Sequence, residues 1–256
     1  MNCFWRGTDI ANTFADAVDR QIKKTPLDAW INRKINGSTN NPLTREQIEQ
    51  YQVKKLNDLI RYAKDRSSFY RNHLAKIKST DITSLDEFRL FPFTTSKNLT
   101  EDPLSFICVP QQQISRIKTV TTSGTTGNPK RLFLTDGDQE ETMDFFHHGM
   151  SNLSGEGDRI LILLPGERPG SIGDLLYKAL GRMNAVAVKH GLVTDPESTL
   201  SVIEKERINV LVGIPVQVLS LVRYSEFRHP LLTQMKSVLL STDYVPHTGY
   251  PCNSRL

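Results

Sequence analysis

The residues best suited to chemistry lie in Thr121-Thr122-Ser123-Gly124-Thr125-Thr126-Gly127-Asn128-Pro129-Lys130. A run of hydroxyl and glycine residues closed by a lysine offers side-chain donors, a cation, and a backbone free to turn its N–H groups inward. Those are the parts of a polyphosphate cradle. The distance from Gly124 to Lys130 equals that of a Walker loop, but Pro129 stands where that loop needs its second glycine and Arg131 where it needs Ser or Thr. A helix must follow the Walker lysine, whereas Arg131-Leu132-Phe133-Leu134-Thr135 has the texture of a strand. The phosphates are therefore expected on a hairpin loop.

The elements that must position this loop can be read on either side of it. Ser115-Arg116-Ile117-Lys118-Thr119-Val120 alternates polar and apolar residues, so two strands should flank the segment from Thr121 to Lys130. Asp138, with Glu141 three residues on, predicts a capping box for a helix ending near Gly155. Upstream, Thr44 and Gln47 predict another box, opening a helix that carries Ile48, Leu56, Leu59, Ile60 and Ala63 on its apolar face. Beyond Gly157 short branched runs, Ile160 to Leu164, Ala185 to Val188, Val210 to Val212 and Val238 to Leu240, recur every 25 residues or so, as βαβ crossovers require. Almost no alternation within them predicts burial on both faces. Asp195 with Pro196 marks one intervening helix start, and Gly181 closes the helix before it. The fold class expected is α/β, a parallel sheet with flanking helices plus an antiparallel hairpin carrying the phosphate loop.

Composition narrows the classes. The chain has 256 residues, 38% hydrophobic and 23% charged, which fits a packed globular protein of one or two domains and excludes a disordered or collagen-like chain. A net charge of +4 spread along the chain gives no nucleic-acid footprint. Cys3, Cys108 and Cys252 show no paired spacing, so neither a disulfide framework nor a metal site is expected. Ile208 to Val222, the longest uncharged apolar segment, is too short to span a membrane and is split by Gly213 and Pro215. Met1 to Ala17 lacks an apolar core for a secretory signal, and a cytoplasmic location is expected.

Residues 121 to 130 resemble the first signature of the adenylate-forming acyl-CoA synthetases, a Ser/Thr/Gly-rich loop ending in Gly-x-Pro-Lys. Phe91-Pro92-Phe93-Thr94-Thr95-Ser96-Lys97-Asn98-Leu99 is similar to the segment preceding that loop in phenylacetate-CoA ligase-like proteins. Arg168-Pro169-Gly170-Ser171-Ile172-Gly173 resembles the family's glycine-rich acyl-pocket segment, Gly213-Ile214-Pro215 its substrate-side turn, and Leu240-Ser241-Thr242-Asp243 its adenine-contacting loop. The resemblance implies ATP-dependent activation of a carboxylic acid, with an aromatic one expected, through an acyl-adenylate to its coenzyme A thioester. It implies ATP, Mg²⁺ and coenzyme A as co-substrates and cofactors. Thr122, Ser123, Gly124, Thr125, Thr126, Gly127 and Lys130 would hold the phosphates, with Lys130 also the catalytic cation. Ser241, Thr242 and Asp243 would line the adenine; Gly170, Ser171, Gly173, Gly213 and Pro215 would line the acid.

The pattern ends after residue 246. The family's Tyr-Gly-x-Thr-Glu, its ribose-binding Thr-Gly-Asp and its C-terminal catalytic lysine are not found in this sequence. The expected organisation is a helical extension over residues 1–43, a partial adenylate-forming domain over 44–246 and a divergent tail over 247–256. A shortened chain of this kind would be impaired in turnover and would self-associate through an exposed apolar edge. Two rival readings stand beside the ligase: a non-catalytic nucleotide- or partner-binding remnant, and a related nucleotidyl transferase. Among the remaining candidates, Glu167 and Arg168 follow a strand end and could touch substrate. His147 and His148, about 100° apart on a helix, are expected to diverge and to form no joint metal site.

Overall fold

The computed structural model describes residues 25–37, 42–77, 81–120, 129–226 and 235–241. Thr25 caps the first helix, α1 (Pro26–Asn36), its hydroxyl accepting from Asp28 N–H while the Asp28 carboxylate accepts in return from Thr25. Pro26 sits in the first turn, where its missing N–H does no harm, and Gly37 ends the helix at φ +74°. The box predicted at Thr44 and Gln47 opens α2 (Arg45–Arg66). Its core-facing stripe follows Val53, Leu56, Ile60 and Ala63; Leu59 falls one residue off that stripe and is 59% exposed, contrary to expectation. Two short helices follow, α3 (Ser68–His73) and α4 (Ser96–Glu101).

The hairpin forms as predicted. β1 (Ile114–Val120) and β2 (Lys130–Thr135) pair antiparallel, with Val120 opposite Lys130 and Arg116 opposite Leu134. The next helix, α5 (Asp136–Met150), begins earlier than expected. Its cap is Thr135, the last residue of β2, and Asp138 is the return partner at N3 rather than the cap. Thr135 is both the last residue of the strand and the cap of the helix, so no linker separates the elements, and the helix ends at Met150 rather than near Gly155.

The second half forms a parallel sheet ordered β4-β3-β5-β6, from β3 (Arg159–Leu163), β4 (Val186–Lys189), β5 (Val210–Gly213) and β6 (Ser237–Leu240). The crossovers run through α6 (Ile172–Gly181), α7 (Pro196–Lys205, capped by Asp195 as predicted) and α8 (Pro215–Glu226). On one face Ile160, Ile162, Val210 and Val212 pack with Leu176 and Leu180 of α6 and with Met150 at the end of α5. On the other face Leu161, Leu163 and Leu211 meet Leu200 and Ile203 of α7 and Val218 and Leu221 of α8. Burial on both faces therefore holds for β3 and β5. It fails for β4 and β6, which are the outer strands and leave Val186 and Val238 half exposed. Among the described residues, no helix is long and apolar enough to cross a membrane.

Candidate active site

Strand order locates the place where an open parallel sheet accepts a ligand. The chain leaves β3 through α6 toward β4 on one side, and leaves β5 through α8 toward β6 on the other. Connections that depart in opposite directions from neighbouring strands open a crevice at their carboxyl ends. Here that switch point lies between Leu163 and Gly213, which are register partners.

The residues predicted for the acid side follow the carboxyl ends of these two strands. Gly213 ends β5, and a Cβ on it would press on Leu163 Cβ and Val218 Cγ2, each at 3.0 Å. Pro215 starts α8 directly after it. Ser241 donates its N–H to Gly213 O at 3.0 Å, so the beginning of the predicted adenine segment lies against the same turn. From β3 the chain runs through Pro165 and Gly166 to Ser171, the N-cap of α6. Gly173 donates its N–H to Pro165 O at 2.9 Å, and a Cβ there would meet Leu164 O, Gly166 Cα and Pro165 O within 2.9 Å. Only a hydrogen side chain allows that approach of helix to loop. Gly170, at φ +71°, closes on Arg116 and Gln139. The Ser171 hydroxyl is buried without a hydrogen-bond partner, and so is His190 Nδ1 just past β4.

The hairpin is tied to this loop. Arg116 Nη1 donates to Pro169 O at 3.0 Å, and Gln139 at the start of α5 donates to Ser115 Oγ at 2.8 Å. Directly paired residues share a face of a ladder, so Arg116, Lys118, Val120, Lys130, Leu132 and Leu134 lie on one side of the hairpin. That side is the one Arg116 uses to reach Pro169. Lys130 is half-buried at the first position of β2, about 13 Å up the ladder from Arg116. Thr122, Ser123, Gly124, Thr125, Thr126, Gly127, Thr242 and Asp243 lie outside the described residues. Arg116 and Lys118 join Lys130 as cations of this face; their spacing of two in an alternating strand was the sequence signal for them.

Asp174 is a further residue that sequence reading passed over. It is buried in the first turn of α6, where its Oδ2 accepts from Gly170 N–H at 2.8 Å and pairs with Lys178 at 2.9 Å, while Oδ1 pairs with Lys189 at 3.2 Å. Burial opposes its charge, but Lys178, the Gly170 amide and Lys189 outweigh that and hold its pKa at about 2. Its carboxylate is therefore a clamp on the Pro169–Ser171 loop. The spacing of Asp174 and Lys178, i and i+4, was legible in advance; the loop amide it holds was not.

The opposite, amino edge of the sheet carries a separate network. Asp158 binds Lys236 at 2.6 Å, Asn209 at 2.9 Å and Gly155 N–H at 2.8 Å, while Arg159 pairs with Glu206. These groups join the starts of β3, β5 and β6. Elsewhere the expected divergence of His147 and His148 does not occur. Their rings stack at 4.4 Å, because rotation about the side-chain bonds brings adjacent rings together even where the Cα–Cβ vectors part.

No protein-family model matches the chain. A phenylacetate-coenzyme A ligase of Thermus thermophilus is 30% identical over 99 residues, which is 38% of this chain and 22% of that protein. Most of the chain superposes on solved structures of a 2-hydroxyisobutyryl-CoA ligase. One, bound to 2-HIB-AMP and CoA in its thioesterification state, gives a TM-score of 0.67 at 17% identity over 78% of this chain and 44% of that one. An open conformation with the same ligands gives 0.68 at 16% identity over 79% and 49%. Over that 99-residue stretch the chain is similar in sequence to a phenylacetate-coenzyme A ligase, and its fold is that of the 2-hydroxyisobutyryl-CoA ligase structures. It spans about a fifth of the length of the curated ligase and under half of the solved ones. Of that fold, the described part of the chain has the parallel sheet with its flanking helices and the antiparallel hairpin.

Proposed function

We propose that this chain binds ATP between the hairpin loop and the carboxyl edge of the sheet and takes part in activating a carboxylic acid, an aromatic one in our reading, as its CoA thioester. The observation that carries the reading is placement: Gly170, Ser171 and Gly173 follow the carboxyl end of β3, Gly213 and Pro215 lie at that of β5 with Ser241 bonded to Gly213, and Arg116 fastens the cationic face of the hairpin to the loop after β3.

In the first step a carboxylate oxygen attacks the α-phosphorus, forming the acyl–phosphate bond as the bond to pyrophosphate breaks. No protein nucleophile is required. The work is to orient the acid and to offset charge gathering on the phosphoryl oxygens and the departing pyrophosphate. Lys130 offsets the outer phosphates, and Arg116 and Lys118 add to the field of that face. Thr122, Ser123, Thr125 and Thr126 donate hydroxyls, while Gly124 and Gly127 let the backbone approach the phosphates. Ser241, Thr242 and Asp243 border the adenine. Gly170, Ser171 and Gly173 form one wall for the acid, Gly213 and Pro215 the other. In the second step the thiol of coenzyme A attacks the acyl carbon and AMP departs.

Mg²⁺ fits this scheme through the nucleotide, since it takes most of its ligands from phosphate oxygens and water. Asp174 is not its ligand, because both of its oxygens already hold lysines. Carboxylate-dependent exchange of labelled pyrophosphate into ATP tests the proposal. Exchange that rises with aromatic acids supports it. Nucleotide binding without exchange favours a binding remnant, and exchange without any acid favours a nucleotidyl transferase.

A further inference from the structure

We propose that Asp144, His147 and His148, in the last two turns of α5, form a binding site for a divalent transition metal, Zn²⁺ by preference, beside Trp30 of α1. The site is separate from the nucleotide crevice, about 15 Å along α5 from the end that carries the hairpin. Among the described residues, the ligand atoms of these three side chains lie within 4.8 Å of one another, all half-buried. Asp144 Oδ1 and His148 Nε2 are 3.3 Å apart. Two ligands of a tetrahedral zinc, each about 2.1 Å from the ion, stand roughly 3.4 Å apart, so this pair already has the separation a metal needs. The spacing of i and i+4 puts both on one helix face, and His147, stacked on His148, comes into range by rotation about its side-chain bonds. Water completes the coordination.

What surrounds the cluster orients it. The second oxygen of Asp144 accepts from Trp30 Nε1 at 2.9 Å and faces Lys34 at 3.3 Å, so the carboxylate is held as a one-oxygen ligand with Oδ1 turned to His148. A metal-bound carboxylate is ordinarily fixed by such an outer partner. The Trp30 ring lies over His148, centroids 5.4 Å apart. The carbonyl end of α5 adds negative potential where the cation would sit. Lys34 opposes the cation, but it also reaches Glu141 at 3.3 Å and can move to that partner. Two imidazoles and one carboxylate favour zinc, copper or nickel over magnesium and calcium. Because Trp30 of α1 holds the ligating carboxylate, metal bound to α5 would alter the surroundings of that ring while driving Lys34 toward Glu141.

Calorimetric titration of the full chain with ZnCl₂ at pH 7.5 tests this, with Trp30 fluorescence followed in a Trp5→Phe background. The expected result is one Zn²⁺ per chain and a change in Trp30 emission that saturates at the same ratio. Asp144→Asn, which keeps the shape and the bond from Trp30, and His148→Ala should each weaken binding tenfold or more. Lys34→Gln should tighten it severalfold by removing the competing charge. Circular dichroism confirms that the variants are folded. Binding to the parent no stronger than to the Asp144→Asn/His148→Ala double variant, or zinc uptake with unchanged Trp30 emission, overturns the proposal.

Discussion

The two glycines at the ends of α6 place opposite demands on their surroundings. Gly173 has backbone on three sides, so Gly173→Ala must push the start of α6 away from the Pro165–Gly166 turn. We expect a loss of about 2 kcal/mol in urea unfolding. Gly181, at the other end of the same helix, has open space around it, and Gly181→Ala should gain about 0.5 kcal/mol, since alanine has less backbone freedom to lose. Equal effects at the two sites would remove the close-approach explanation. Asp174 makes an electrostatic demand. Its folded pKa, about 2, lies below the unfolded value, so the stability it contributes is fully present above about pH 4 and disappears as pH falls toward 2. That contribution is about 2 kcal/mol. Asp174→Asn should lose it at pH 7 and flatten the acid limb of a stability–pH curve between those values; an acid limb unchanged in slope would assign the acid lability elsewhere.

At the scale of elements, what the sequence disclosed and what it withheld divide along physical lines. Strands and crossovers were legible because β3 and β5 are apolar without interruption and Asp195-Pro196 is a local signal. The outer strands looked the same in sequence, and only the strand order shows which lie at the edge. The cap of α5 was misplaced by three residues because Thr135 and Asp138 both have cap chemistry, and the choice depends on where β2 ends. Thr25-Pro26-Leu27-Asp28 is a helix start as clear as the one at Thr44, yet the docking of α1 on α5 through Trp30 and Asp144 depends on residues 114 positions apart. Of the candidate site, the turns after β3 and β5 were legible as glycine-bearing strand ends; the coupling of the hairpin to the first of them through Arg116 was not. That coupling is testable. Arg116→Ala removes one exposed hydrogen bond and should change stability by less than about 1 kcal/mol. If the hairpin and the Pro169 loop act as one phosphate-binding unit, the same variant should weaken ATP about fivefold or more by calorimetry. Unchanged ATP affinity would mean that the two elements merely touch.

For the whole molecule the division of labour runs along the strand axis. The amino edge gathers Asp158, Asn209, Lys236, Arg159 and Glu206 into a network that joins strand starts, while the carboxyl edge gathers glycines, a clamped loop and a cationic hairpin face. Groups of the first kind hold the sheet together. Those of the second kind leave backbone and charge free for a ligand. The central claim is that the hairpin loop holds the outer phosphates of a nucleotide, and Lys130→Ala tests it most directly by calorimetry with ATP and AMP on the intact chain. The account predicts that ATP weakens about tenfold or more, since a charge-assisted contact to the β- and γ-phosphates is lost, while AMP changes by less than about twofold. Equal losses for both nucleotides, or an ATP affinity that does not respond to Lys130, would contradict it.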